Sequence, residues 1–229
     1  MVYVTGDFHG EYKRFSAPEY GRLKKGDTLI VCGDFGFVWE NTDKEKKQLK
    51  KIGKKKFNTV FVTGCHDNYE ALAEYPEEEW CGGRVRRISG NLRMLCRGEI
   101  YEIEGKYYFA FGGGESTDGM LREDNNLWWA EEQPSAEEEA LAWERLAAVG
   151  NRVDVIISHD APTNILEFLN LPPMDVNSRI NNFLDAVGKT VEFGQWYFGK
   201  LHLDKAITNR HRAVYLKVLP VEEKKAKRR

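Results

Sequence analysis

The chain has no apolar run of about eighteen residues, the length a membrane-spanning helix needs. It does not open on a basic-then-apolar signal region either, because Asp7 and His9 interrupt the first apolar run at once. Its four cysteines, Cys32, Cys65, Cys81 and Cys96, include no CxxC pair, and a chain of 229 residues needs no stapling, so they read as reduced thiols. Charge of either sign is not in excess: 34 Lys+Arg against 36 Asp+Glu give a formal net charge of -2. The whole-chain balance therefore carries no strong nucleic-acid signal. These absences lead us to expect a soluble, cytoplasmic protein with no membrane partner. With 41% hydrophobic residues, the length suits one α/β domain over residues 1–220, followed by a charged, disordered tail at 221–229.

What the chain does have is a repeated local grammar in which an apolar strand is followed at once by glycine and polar chemistry. Residues 1–4 form a short β-rich run, and Gly6, Asp7, Phe8, His9 and Gly10 follow. Residues spaced by two in an extended segment project to one side, so Asp7 and His9 are expected to converge. Residues 11–23 read as a helix. Residues 28–32 read as a strand covered on both faces, running into Gly33, Asp34, Phe35 and Gly36. A second helix, 42–55, carries Leu49 and Ile52 among lysines, which read as a solvated face rather than a phosphate-binding patch. The strand 59–63 then ends in Gly64, Cys65, His66, Asp67 and Asn68. In open α/β sheets ligands bind beyond the carboxyl ends of the strands, so a common site is expected there.

From residue 84 the rhythm changes to short strands at 84–88, 99–103 and 107–111, whose hairpin spacing predicts a second, largely antiparallel sheet. Gly112, Gly113 and Gly114 read as a tight exit turn. Residues 115–150 read as an insertion with a helix at 136–149, capped by Ser135 and Glu138 and stopped by Gly150. Its Trp128, Trp129 and Trp143 read as fasteners of that helix rather than as stacking platforms for a nucleobase. The strand 153–158 delivers His159 and Asp160, helices are expected at 164–169 and 177–187, and the strand 193–198 ends in Gly199, Lys200, Leu201 and His202. A closing strand is expected at 213–219.

Collected, Asp7, His9, Asp34, His66, Asp67, His159 and His202 are carboxylates and imidazoles, the mixture that suits Mn, Fe, Zn or Ni. In order and spacing they resemble the calcineurin-like metallophosphoesterase superfamily, whose pattern is DxH, GDxxG, GNH[DE], a lone His and GHxH. The resemblance extends from Val2 to about Val218. It implies an α/β fold, a four-layer α/β/β/α sandwich of two mixed β-sheets flanked by helices, with a site for divalent metal ions. By position, Asp7, His9 and His202 would hold the first metal and Asp34 would bridge to a second, at which Cys65, His159 and Lys200 stand. A pair of metals about 3.5 to 4 Å apart activates a bridging hydroxide for in-line attack on phosphorus. His66 matches the histidine that protonates the leaving oxygen or stabilises the transition state, with Asp67 orienting its ring. The resemblance thus implies a metallophosphoesterase, a hydrolase acting on a phosphorylated small molecule, a nucleotide or a phosphoprotein.

Two positions depart from that pattern: Cys65 stands for Asn, and Lys200 for the first His of GHxH. A protonated lysine has no lone pair to offer a metal. In one reading Lys200 takes the place of the second cation, pairs with Asp34 and helps bind phosphate, leaving one intact metal site and weak turnover. In another, a bound metal keeps Lys200 neutral and Cys65 a thiolate that selects Zn or Fe. In a third, catalysis is lost and the fold is a binding module for a metal or a phosphorylated ligand. A nuclease or nucleotide phosphodiesterase is a further alternative, resting on the tryptophans and the cluster of Arg84, Arg86 and Arg87. Arg84 is its candidate substrate-binding residue, and a solvated strand edge explains the cluster equally well.

Overall fold

The computed structural model describes residues 1–116, 128–171 and 178–221. Residues 222–229 of the expected tail, residues 117–127 of the expected insertion, and residue 177 lie outside the described residues. In chain order the strands are β1 (Val2–Thr5), β2 (Thr28–Cys32), β3 (Asn58–Val62), β4 (Glu77–Trp80), β5 (Gly83–Ser89), β6 (Leu92–Leu95), β7 (Glu99–Ile103), β8 (Lys106–Phe111), β9 (Arg152–Ser158), β10 (Glu192–Phe198), β11 (Lys205–Ala206), β12 (His211–Ala213) and β13 (Leu219–Pro220). They form a seven-stranded sheet, β13-β1-β2-β3-β6-β5-β4, and a six-stranded sheet, β11-β12-β10-β9-β8-β7.

The alternation of side chains along each strand builds the layers. Ile30, Cys32, Val60 and Val62 of the first sheet face Tyr108, Ala110, Val155 and Ile157 of the second, closing a core between the sheets. Leu29, Val31 and Phe61 point the other way, where they meet Phe8, Phe35, Leu49 and Ile52. Leu49 and Ile52 belong to helix α2 (Asp43–Gly53), which follows the short α1 (Pro18–Gly21). Thr42 and Glu45 cap α2 reciprocally, hydroxyl to backbone N–H and carboxylate to backbone N–H. After α3 (Tyr69–Ala73), the helices α4 (Ala136–Ala148), α5 (Thr163–Phe168) and α6 (Arg179–Thr190) cover the outer face of the second sheet. Ala142, Leu146, Ile165, Leu184 and Val187 are buried there with Phe109, Phe111 and Trp196. The result is an α/β structure of two mixed sheets flanked by helices. None of its described helices is long and apolar enough to cross a membrane.

Four expectations are corrected. The helix expected at 11–23 is a 3-10 turn at Tyr12–Ser16 followed by α1, because Ala17 is extended ahead of Pro18, whose ring disfavours a helical predecessor. The second sheet is not largely antiparallel: β8, β9, β10 and β12 run parallel, and only the outer pairs β7–β8 and β11–β12 are antiparallel. Hairpin spacing in the sequence reports the local pairs, whereas the parallel middle is made by crossovers through distant helices. The strand read at 84–88 is β5, which joins the first sheet through β6. The stretch 213–219 is not one strand, since β12 belongs to the second sheet and β13 pairs with β1 in the first. The Ser135 and Glu138 capping box stands as read, and Trp143 fastens α4 by packing edge-on against Phe183, 5.5 Å between centroids.

Candidate metal centre

The loops that leave β1, β2, β3, β9 and β10 meet at one place, and the backbone there is strained. Ten non-glycine residues among those described have positive φ, and five of them are Asp7 (43°), His9 (47°), Asp34 (45°), Lys200 (58°) and His202 (50°). An L-residue in this region costs on the order of 1–3 kcal/mol and persists only where the surroundings over-determine it, which happens most at functional sites. Asp7 and His9 therefore do not converge through an extended segment, as their spacing alone suggested, but through two left-handed residues. What holds them is a set of cross-loop bonds: His9 N–H to the Asp34 carbonyl (2.9 Å), Lys200 N–H to Asp7 Oδ1 (2.9 Å), and the buried Arg14 guanidinium to the carbonyls of Gly6 (2.8 Å) and Asp7 (2.6 Å). Gly33, at φ +87°, is required by packing as well as by conformation, since a Cβ there would lie 2.2 Å from His159 Nδ1. Gly114 shows that the glycine triplet marks a close approach rather than a simple exit turn: its Cβ would lie 2.7 Å from Cys65 Sγ.

Three overlapping groups have their ligand atoms within 4.8 Å of one another: Asp7, His9 and His202; His9, Asp34 and His66; and Asp7, Asp34 and His159. The Nε2 atoms of His9 and His202 are 3.0 Å apart. Asp7 Oδ2 and His159 Nε2 are buried with no hydrogen-bond partner among the described residues, an expensive arrangement unless something else satisfies them. Burial pushes the His9 and His159 imidazoles down, towards the neutral form that ligates. Burial, and then the charge on Asp34, push the Asp7 carboxyl well above its usual range. Burial alone would raise Asp34 too, but His159 and then His66 outweigh it and hold Asp34 ionised. A set of facing imidazole nitrogens and carboxylate oxygens with orphaned lone pairs fits a divalent cation of the borderline class.

His66 lies half-exposed at the rim. Its backbone N–H donates to Asp34 Oδ1 (2.7 Å), and its Nδ1 pairs with Asp34 Oδ2 (2.9 Å). Asp67 is buried beneath that loop. Its carboxylate accepts the N–H groups of Gly36 (2.8 Å), Gly64 (2.9 Å) and Phe35 (3.3 Å), tying the second and third loops together. Burial and then Asp34 raise its pKa to about 7 in spite of those amides.

Lys200 has a different partner from the one expected. Its Nζ lies 3.3 Å from Asp160 Oδ2 and donates to Cys65 Sγ (3.2 Å) and to the Glu115 carbonyl. Asp160 is fully buried, with Oδ1 accepting the Ala161 N–H (2.8 Å) and Oδ2 the Glu115 N–H (3.0 Å). Burial alone would lower the lysine, but Asp160 leads the charges that override it and keep Lys200 an ammonium. Burial raises the Cys65 thiol, so its sulfur is a weak neutral acceptor here. Asp160 was passed over in the sequence because its role is set by Lys200, forty residues on; adjacency to His159 was its only local signal.

Beside His9 and His66 opens a cleft of about 430 Å³ whose wall includes Trp39, Lys44 and Gln48. Arg84 is not on it. That side chain donates to Glu99 (2.5 Å), with Glu77 at 3.9 Å, and lines a separate cleft beyond Thr63. Two further residues missed in the sequence support the centre: Arg14, and Tyr215, whose ring stacks on His202 at 4.7 Å.

The family model described as calcineurin-like phosphoesterase matches residues 1–211. The chain is 24% identical to the lariat debranching enzyme of Drosophila melanogaster, over 88% of this chain and 42% of that enzyme, so it spans less than half the length of this relative. Against the crystal structure of a protein of unknown function from Aquifex aeolicus, the TM-score is 0.37 at 16% identity, covering 84% of this chain and 87% of the other.

Proposed function

The chain belongs to the calcineurin-like phosphoesterase family, and from that membership we propose that it hydrolyses a phosphate ester at a centre built for one divalent metal, with the Lys200 ammonium standing where a second cation would bind. Asp7, His9 and His202 would hold the ion, with Asp34 beside it. When bound, such an ion supplies an acidified water and offsets charge on the phosphate oxygens. The observation that carries the reading is the buried Lys200–Asp160 pair beside Cys65: a fixed positive charge, already satisfied by protein groups, against the residues that face Asp34 and His159.

The roles of the side chains follow from their contacts. His66 is the acid, its Nδ1 engaged by Asp34 so that the proton leaves from Nε2 to the departing oxygen. Lys200, whose three N–H groups face Asp160, Cys65 and the Glu115 carbonyl, offsets charge developing on the non-bridging oxygens through its field rather than by a direct hydrogen bond. An ammonium already paired with a carboxylate offsets less phosphate charge than a dication does, so turnover is expected to be slow. The test is an assay of p-nitrophenyl phosphate and bis-p-nitrophenyl phosphate with Mn, Fe, Zn or Ni added. The intact chain should turn over, and His66→Ala should lower kcat by about 10² to 10⁴ with metal content unchanged. A parallel fall in bound metal would make His66 a ligand instead. No turnover of the intact chain with any metal would leave a non-catalytic module that binds metal or a phosphorylated ligand.

A further inference from the structure

We propose that the lysine ridge of helix α2 and the adjoining cleft form a track for single-stranded nucleic acid, leading a backbone phosphodiester into the metal centre; the inference rests on the phosphoesterase reading above and names its substrate class. Eight of the thirteen residues 44–56 are lysine, and among the described residues none of these is in an ion pair. The arginines of the other basic surface are matched: Arg84 by Glu99, Arg86 by Glu77 (2.7 Å), Arg93 by Glu78 (2.8 Å). A net charge of -2 for the whole chain hides this asymmetry. Eight lysines against Asp43 and Glu45 therefore leave net positive charge concentrated along one helix and its C-terminal turn, and that helix borders the cleft.

The direction of the ridge carries the argument further. Lys44, Gln48 and Lys51 follow one another at spacings of four and three, which places them along one side of the helix, and Lys55 stands just beyond its C-terminal end. Lys44 and Gln48 share the cleft with His9, His66 and Trp39, and with Glu40 and Glu45, the carboxylate of Glu45 being turned to the N–H groups of Glu40 and Thr42. Lys51 Nζ lies 5.8 Å from the ring of Tyr12, and Lys55 Nζ 4.7 Å from that of Phe15. The row thus starts at the catalytic residues and runs away from them over an eleven-residue helix, about 16 Å long at 1.5 Å per residue. Aromatic faces accompany it. Trp39 stands in the cleft, steadied edge-on by Trp129 at 5.4 Å, and Tyr12 is half-buried beside Lys51. Lysines that follow a backbone, interleaved with rings on which unstacked bases can lie, are the elements of single-strand binding.

A membrane surface fits less well. Leu49 and Ile52 of α2 are buried in the core, so the ridge has no apolar face to insert. The test is the anisotropy of a labelled single-stranded 12-mer titrated with the full chain, carrying His66→Ala to suppress cleavage, over a range of salt concentrations. Lys44→Gln, Lys51→Gln and Lys55→Gln together should make the salt slope shallower by about 2 and weaken binding at 0.1 M salt by tens of fold. Trp39→Ala should weaken binding about tenfold, with Trp39→Phe restoring most of it. Arg152→Gln, Lys189→Gln and Lys205→Gln, an equal charge change on the second sheet and on helix α6 that covers it, should do neither. Equal effects from the two triple variants would overturn the track, as would binding to phosphatidylserine vesicles with none to the oligonucleotide. If the intact chain cleaves p-nitrophenyl esters but fails these binding tests, the substrate class is wrong and the phosphoesterase reading stands; if it cleaves nothing, that reading fails first.

Discussion

Replacing Asp160 by alanine should destabilise the fold by about 3–5 kcal/mol, the cost of leaving a buried charge without its partner. The Lys200 side chain is only 13% exposed and that of Asp160 1%, so little solvent screening reduces the effect. What remains to the ammonium is a carbonyl and a neutral sulfur, neither of which carries charge. The N–H groups of Glu115 and Ala161 also lose their acceptor. Chemical denaturation reads the loss directly. Adding Lys200→Met to Asp160→Ala removes the stranded charge, so the double variant should be more stable than Asp160→Ala alone. Losses that simply add would show that Lys200 and Asp160 do not act as a pair.

The second large effect is a gain. Lys200→His with Cys65→Asn replaces an ammonium by an imidazole lone pair and a thiol by an amide oxygen, both of which can ligate. Asp160 then sits buried without a cation, so the metal-free double variant should lose stability and recover it on metal addition, since a ligand that binds only the folded state stabilises it. Bound metal should rise by one per chain. Turnover of bis-p-nitrophenyl phosphate should rise about 100-fold, or about 2.7 kcal/mol of barrier. No change in either metal count or turnover would show that these two substitutions are not what limits the site.

Both effects concern a feature the sequence reveals only in half. The departure at Lys200 and Cys65 is plain from the order of the motifs, and so is the clustering of Asp7, His9, Asp34, His66, His159 and His202, because each follows an apolar strand and ligand sites lie beyond the carboxyl ends of such strands, which here come from both sheets. The partner of Lys200 is not plain. Asp160 meets it only because β9 and β10 lie side by side in parallel, a pairing between segments forty residues apart. The same cause hides the parallel middle of the second sheet and divides the expected closing strand between two sheets. The left-handed conformations of Asp7 and His9 are likewise invisible in a two-residue spacing, which extended backbone satisfies equally well on paper. Local signals fared better: the capping box read at Ser135 and Glu138 needs only residues three apart, and its helix begins where those residues place it. The lysines of α2 show a middle case, for their number is legible but their lack of ion pairs among the described residues and the place of Lys44 on the cleft are not.

The central claim is that one divalent metal and one protein ammonium share this centre. Elemental analysis of the purified chain for Mn, Fe, Zn and Ni, expressed per chain and paired with phosphoester turnover on the same sample, tests it most directly. We expect close to one metal per chain with slow turnover. Close to two per chain would contradict the account, because Lys200 and Cys65 would then be coordinating rather than replacing the second ion.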